Sequence, residues 1–302
     1  MANRKQLLKE FQNVIDFSKD IPEEKKLIAY NGVLYPGIVC SPETFRAMEF
    51  FEARSDDMML VSYPKCGHYW TLQLLNDIAY AVYNKEPPSI MQMLEFGSPD
   101  KFEKMKDELS PRVFGTHLYY DTIPKSVFAK NVKILVVIRN PKDTAVSYYH
   151  FHNNHPGLPT YSSWDTFFQD FISGQVAYGS YFNHAVTWNK HIDDTGVMVM
   201  TFEKMKEDLK TAVKDISSFF ELSLTEEQVQ HVVDKGTFKS MNEKSKETYG
   251  EFGKAIFRKG NVGDWKNYFS EDQSHIVDDN FEKFLAGTKL GELMKYNVYC
   301  KA

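Results

Sequence analysis

The run Val132-Lys133-Ile134-Leu135-Val136-Val137-Ile138 constrains the fold more than any other segment. A nearly continuous β-branched and apolar stretch reads as a parallel strand buried on both faces, because a strand with one wet face would alternate apolar and polar residues. It stops at Arg139-Asn140-Pro141, where Asn140 can cap a helix beginning at Pro141 and Asp143 suits that helix's positive end. The pattern recurs. Residues 57–63 read as a short buried strand closed by Pro64, and Trp70, Leu74, Ile78 and Val82 then repeat every four residues along one helix face. Residues 112–117 and 197–201 read as further strands, 204–220 as a helix, and another helix starts at Thr225 with Glu226 and Glu227 in its first turn. Strands alternating with helices predict one α/β domain over residues 1–302, a central parallel sheet with helices on both faces. Leu7, Leu8, Phe11, Val14 and Ile15 have helical spacing, so a helix over 5–17 is expected within an N-terminal extension, 1–31, packed on this domain.

Charge limits the function. Lysines and arginines total 36 against 41 acidic residues, a net charge of −5, which argues against a broad nucleic-acid or membrane footprint. Any anion site must be local. Cys40, Cys66 and Cys300 are odd in number and lack metal-ligand spacing, which predicts a reducing, cytoplasmic setting without disulfides. The first residues contain no apolar run of the signal-peptide kind, about 7–15 residues, and no stretch reaches membrane-spanning length.

Three local places could hold phosphate. The turn Lys65-Cys66-Gly67-His68-Tyr69-Trp70 joins a strand to a helix start, with free N–H groups, a flexible glycine and a lysine. It is P-loop-like without being a Walker A sequence, and an ordinary turn with a solvated lysine fits it equally well. Arg139, with Ser147 two turns into the next helix, could supply a guanidinium fork and a hydroxyl; the alternative is a surface arginine paired with Asp143. Arg258-Lys259-Gly260 adds two cations and a residue that lets backbone approach a ligand. The stretch 257–266 around it reads as a functional loop or flap, too polar for the core. His150, His152 and His155 lack companion carboxylate or thiolate ligands, so no metal is expected.

The three motifs together, Tyr63-Pro64-Lys65-x-Gly67-x-x-Trp70, Arg139-Asn140-Pro141-Lys142-Asp143-x-x-x-Ser147 and Arg258-Lys259-Gly260-x-x-Gly263-Asp264-Trp265-Lys266-Asn267, resemble the signature set of the cytosolic sulfotransferases. The similarity runs from about Gly32 to the C-terminus. It implies transfer of a sulfuryl group from 3′-phosphoadenylyl sulfate (PAPS), with no metal, to a hydroxyl or amine of a small, mostly apolar acceptor such as a phenol, steroid-like alcohol or thyroid-hormone-like phenol. By the resemblance, Lys65, Cys66, Gly67, His68, Tyr69 and Trp70 hold the 5′-phosphosulfate end, while Arg139, Ser147, Arg258, Lys259 and Gly260 hold the 3′-phosphate. Phe202 and Phe238 lie near the adenine, His117 is the catalytic base with Lys65 beside the leaving oxygen, and Phe151 lines the acceptor pocket.

The chain also departs from the family pattern. Cys66, His68 and Tyr69 replace three hydroxyl residues of the cradle, and Gly115 stands where a lysine is usual. Phe202 replaces a tyrosine. These changes leave open a second function, a PAPS-binding protein with little turnover. Of the usual dimer motif only Lys266 is kept, so a homodimer of the family type is not assumed.

Overall fold

The structure, a computed structural model, describes residues 13, 16–83, 92–249 and 253–301. The helix expected over 5–17 lies largely outside the described residues. The strands, in chain order, are β1 (Leu27–Tyr30), β2 (Val33–Pro36), β3 (Met58–Ser62), β4 (Gln92–Met93), β5 (Val113–Thr116), β6 (Lys133–Ile138) and β7 (Val197–Thr201). The helices that build the site are α1 (His68–Tyr83), α2 (Lys101–Lys106), α3 (Pro141–Asn154), α4 (Phe202–Glu207), α5 (Leu209–Phe219), α6 (Glu226–Gly236) and α7 (Phe238–Tyr249).

The last five strands form one all-parallel sheet in the order β4-β5-β3-β6-β7. Its central strands β3 and β6 are predominantly apolar because both faces are covered. Met59, Val61, Phe114, Ile134, Val136 and Ile138 enter one core, while Met58, Leu60, Val113, Leu135, Val137 and Met200 enter the other. Alternate residues of a single strand thus serve opposite layers, and burying each such side chain is worth about 1.5–3 kcal/mol. From β3 the chain builds β4 and β5 on one side, then crosses to β6 and β7 on the other. That reversal opens a crevice at the carboxyl ends of the central strands.

Asn140 caps α3 as expected, its Oδ1 accepting from the Asp143 N–H at 2.8 Å, with Pro141 in the first turn. Thr225 closes a reciprocal capping box on α6 with Gln228. The helix expected over 204–220 is two, α4 and α5, broken at Asp208, whose carboxylate caps α5.

Among the strands, two features escaped the sequence pattern. One is the β1–β2 hairpin, whose turn residues Asn31 and Gly32 have φ of 49° and 79°, the left-handed pair that a two-residue hairpin turn requires. The other is β4, within the stretch read as a mobile connection up to Pro111. Residues 84–91 of that stretch lie outside the described residues; 92–111 hold β4 and α2.

The 257–266 stretch is less polar in place than on paper. Phe257, Asp264 and Trp265 are buried. The Asp143 carboxylate accepts from the Gly263 N–H at 2.7 Å and the Trp265 N–H at 3.0 Å, and Trp265 Nε1 donates to the Tyr299 carbonyl at 2.8 Å. This loop is anchored to α3, and Asp143, expected as a helix-dipole residue or a partner of Arg139, is its peg.

Candidate functional site

A cavity of about 610 Å³ lies over the carboxyl ends of the sheet. Lys65, Gly67, His68, Tyr69, Trp70, His117, Arg139, Ser147, Phe151, Phe202, Phe238, Arg258, Lys259 and Gly260 all line it. Of the residues that the resemblance assigns to the site, Cys66 alone is not brought to the wall. Its Sγ sits 3.7 Å from Thr144 Oγ1 in the core, and its N–H donates to the Tyr63 carbonyl at 3.3 Å.

The turn after β3 takes two left-handed residues, Lys65 at φ 67° and Gly67 at φ 94°. Such a sequence gathers backbone N–H groups into an anion-binding concavity, and the first N–H groups of α1, which have no helical partners, face the same way. Glycine at 67 is required twice over, since a Cβ there would also stand 2.7 Å from Phe202 Cδ2. Lys65 reaches into the cavity with Nζ 4.1 Å from the Phe151 ring centre and 3.3 Å from the Ala255 carbonyl. Burial pushes its ammonium down to about 7, with Arg139 and Arg258 adding repulsion.

Arg139 is buried rather than a surface residue. It donates through Nη1 to the Lys65 carbonyl at 3.3 Å and through Nη2 to the Asn261 carbonyl at 2.8 Å, and its guanidinium lies 4.4 Å over the Phe202 ring. It stands 3.9 Å from Asp143, whose oxygens are taken up by the anchored loop. Arg258 donates to Asp264 at 2.5 Å, as does Lys259 at 2.8 Å. Burial would raise the Asp264 carboxyl, but Lys259 and Arg258 outweigh it and hold the group down at about 2. The Nε atoms of Arg139 and Arg258 are buried without a hydrogen-bond partner among the described residues. Two unpartnered guanidinium N–H groups beside a concave wall suit an anionic oxygen.

Aromatic rings complete this half. Trp70 packs edge-on to Phe202 at 5.4 Å and is fixed by its Nε1 donating to the Gly236 carbonyl at 2.7 Å. Phe238 lies so close to Gly260, itself at φ 63°, that a Cβ there would fall 2.3 Å from its Cδ2. Lys206 of α4 lies 5.6 Å from the Phe238 ring and 5.8 Å from Trp70. It lines the cavity too, yet only its place one turn after Phe202 could have signalled it.

His117 follows β5. Its Nδ1 lies 2.8 Å from the Ser62 carbonyl, which can only accept, so Nδ1 carries the proton and the neutral ring keeps its lone pair on Nε2. Burial lowers its basicity below the ordinary 6.5, with Lys65 acting in the same direction while Glu95 and Ser62 oppose. Glu95 takes the His117 N–H at 3.0 Å, the Thr116 hydroxyl at 2.8 Å and the Tyr178 hydroxyl at 3.2 Å. Glu95, Ser62 and Tyr178 thus fix His117, and nothing in their sequence neighbourhoods marked them.

The cavity also carries greasy wall residues, Ile38, Val39, Phe96, Phe151, Leu158 and Tyr178. His150 and His152 are engaged elsewhere, by the Tyr268 hydroxyl at 2.7 Å and the Pro159 carbonyl at 3.0 Å, whereas His155 lines the cavity. Among the described residues no three His, Cys, Asp or Glu side chains are grouped to hold a metal. Nor is any described helix long and apolar enough to cross a membrane.

Comparison with known proteins agrees with this geometry. The family model described as "Sulfotransferase domain" matches residues 55–291. Sulfotransferase 6B1 of Mus musculus is 46% identical over 303 residues and that of Homo sapiens 44% over 302, each alignment covering 100% of both chains. Among solved structures, mouse sulfotransferase SULT7A1 complexed with PAP superposes with a TM-score of 0.81 at 31% identity, covering 91% of this chain and 99% of that one. The chain therefore belongs to the sulfotransferase family and is a PAPS-dependent transferase.

Proposed function

We propose that the acceptor is a small, mostly apolar molecule carrying a phenol or alcohol hydroxyl, a steroid-like alcohol or thyroid-hormone-like phenol among the classes to test, and that His117 is the base that takes its proton. The observation that carries this reading is the placement of a neutral His117 in the same cavity as Lys65, whose wall combines cationic and apolar side chains.

Lys65 and the backbone N–H groups of Gly67, His68, Tyr69 and Trp70 would hold the phosphosulfate end of the donor. Arg139, Ser147, Arg258, Lys259 and Gly260 would hold the 3′-phosphate, and Trp70, Phe202 and Phe238 would flank the adenine. The unpartnered Nε groups of Arg139 and Arg258 support this fit. When bound, the donor supplies the sulfuryl group and retains the bridging oxygen's electrons. His117 accepts the proton from the acceptor hydroxyl on Nε2, and the Ser62 carbonyl steadies the resulting imidazolium through Nδ1–H. Lys65, charged when an anion occupies the cradle, neutralises the leaving oxygen. The apolar wall residues exclude water, so that hydrolysis does not compete.

The test is transfer of labelled sulfuryl from PAPS to a panel of phenols and alcohols by the native chain, His117→Ala and Lys65→Ala. Transfer that falls sharply in both variants supports these roles; unchanged transfer in both removes them.

A further inference from the structure

The cradle's least typical residue, His68, is not idle bulk. It opens α1, yet its ring turns inward and is 2% exposed. Nδ1 lies 2.8 Å from Ser62 Oγ and Nε2 lies 3.0 Å from Met93 Sδ. A Cβ built on Gly115 would stand 2.2 Å from His68 Nε2 and 2.7 Å from Cε1. Gly115 is paired within β5 and is not among the positive-φ glycines, so its backbone conformation does not demand glycine. The imidazole demands it: while that ring is in place, no side chain fits at residue 115.

The same ring touches the base. The His68 and His117 ring centres are 4.4 Å apart at 56°, and Tyr178 meets His117 at 4.9 Å. Both imidazoles are tied to one residue, His68 to the Ser62 hydroxyl and His117 to the Ser62 carbonyl. Removing His68 would leave a void over Gly115, free the Ser62 hydroxyl and strip one flank from the His117 ring.

We propose that His68 is a positioning residue for sulfuryl transfer: it fills the space over Gly115 and, with Ser62 and Tyr178, clamps the His117 ring in the orientation that presents Nε2 to the acceptor. The two departures from the family pattern, His68 and Gly115, are then a single compensated change. The inference rests on His117 being the base.

Charge is not how His68 acts. The titratable groups around it are His117 from the β5 end and Tyr69 from its own helix, with Lys65 and Glu95 acting on His117 and Glu95 on Tyr69. Burial holds His68 well below the usual imidazole range, and His117 pushes in the same direction, so the ring stays neutral near pH 7.

The experiment is a double-mutant cycle on the full chain with Gly115→Ala, His68→Ala and the pair. It reads kcat for a phenol, affinity for 3′,5′-bisphosphoadenosine, and the acid limb of kcat/KM. Gly115→Ala is expected to lower kcat about tenfold when His68 is present but no more than about twofold in the His68→Ala background, the coupling expected of side chains in contact. His68→Ala should lower kcat about 10–100-fold, leave nucleotide affinity within about threefold and move the acid limb upward as water reaches His117. His68→Asn, which keeps a polar atom near Ser62 Oγ, should recover part of kcat and guards against a His68→Ala chain that fails to fold. Equal cost of Gly115→Ala in both backgrounds, or a kcat and acid limb untouched by His68→Ala, would overturn the proposal. Full activity in His117→Ala would instead sink the base assignment, so the two failures are distinguishable.

Discussion

Lys65 offers the sharpest prediction. Its ammonium is buried against Arg139 and Arg258 and titrates at about 7 with the site empty. A bound phosphate group favours the charged form and raises that value. The free protein therefore holds fewer protons than the complex above neutrality, and binding must take one up. At pH 8 only about 9% of Lys65 is protonated at a pKa near 7, so uptake should approach about 0.9 proton; at pH 6 it should fall below about 0.1. Affinity should weaken by up to about tenfold per pH unit above 7 until the complex itself titrates. Titration calorimetry of 3′,5′-bisphosphoadenosine, in buffers of different ionisation enthalpy, measures the uptake directly. Lys65→Met subtracts protons released by the ligand's own phosphates. An uptake that does not differ between pH 6 and pH 8, or a difference that persists in Lys65→Met, would refute the electrostatic description of the cradle.

Two further perturbations probe its other walls. Gly260→Ala places a Cβ at φ 63° and 2.3 Å from Phe238 Cδ2; about 1–2 kcal/mol of backbone strain plus a displaced Phe238 should weaken bisphosphate binding by about tenfold or more in calorimetry. Asp143→Ala removes the acceptor of the Gly263 and Trp265 N–H groups. Because a hydrogen bond to a charged group is worth about 1.5–3 kcal/mol, loss of the two should register in urea unfolding as about 3–6 kcal/mol, and nucleotide affinity should fall as the loop carrying Arg258 and Lys259 comes free.

Much of the site is legible in the sequence because its parts lie next to strong local patterns. Lys65, Arg139 and His117 each follow an apolar strand, and a parallel sheet brings such ends to one edge whatever the loops do. Cap chemistry likewise reveals Asn140 and Thr225. What stays hidden acts at long range. Glu95 reaches His117, Thr116 and Tyr178 from the connection after β4, and Asp143 reaches across more than a hundred residues to peg a loop. The same holds for His68 and Gly115, which in the sequence look like two separate departures from the family pattern. Only the packed structure shows one ring filling the space above the other residue. The Asn31-Gly32 turn is different in kind, since its signal is local and present in the chain.

The central claim is that His117 Nε2 takes the acceptor's proton during transfer. Single-turnover quench measurements on enzyme preloaded with PAPS and mixed with a phenol isolate that step from binding and release. His117→Ala should slow the chemical step by about 10²–10⁴-fold while bisphosphate affinity stays within about threefold of the native chain. A His117→Ala chain that transfers sulfuryl at the native single-turnover rate would contradict it.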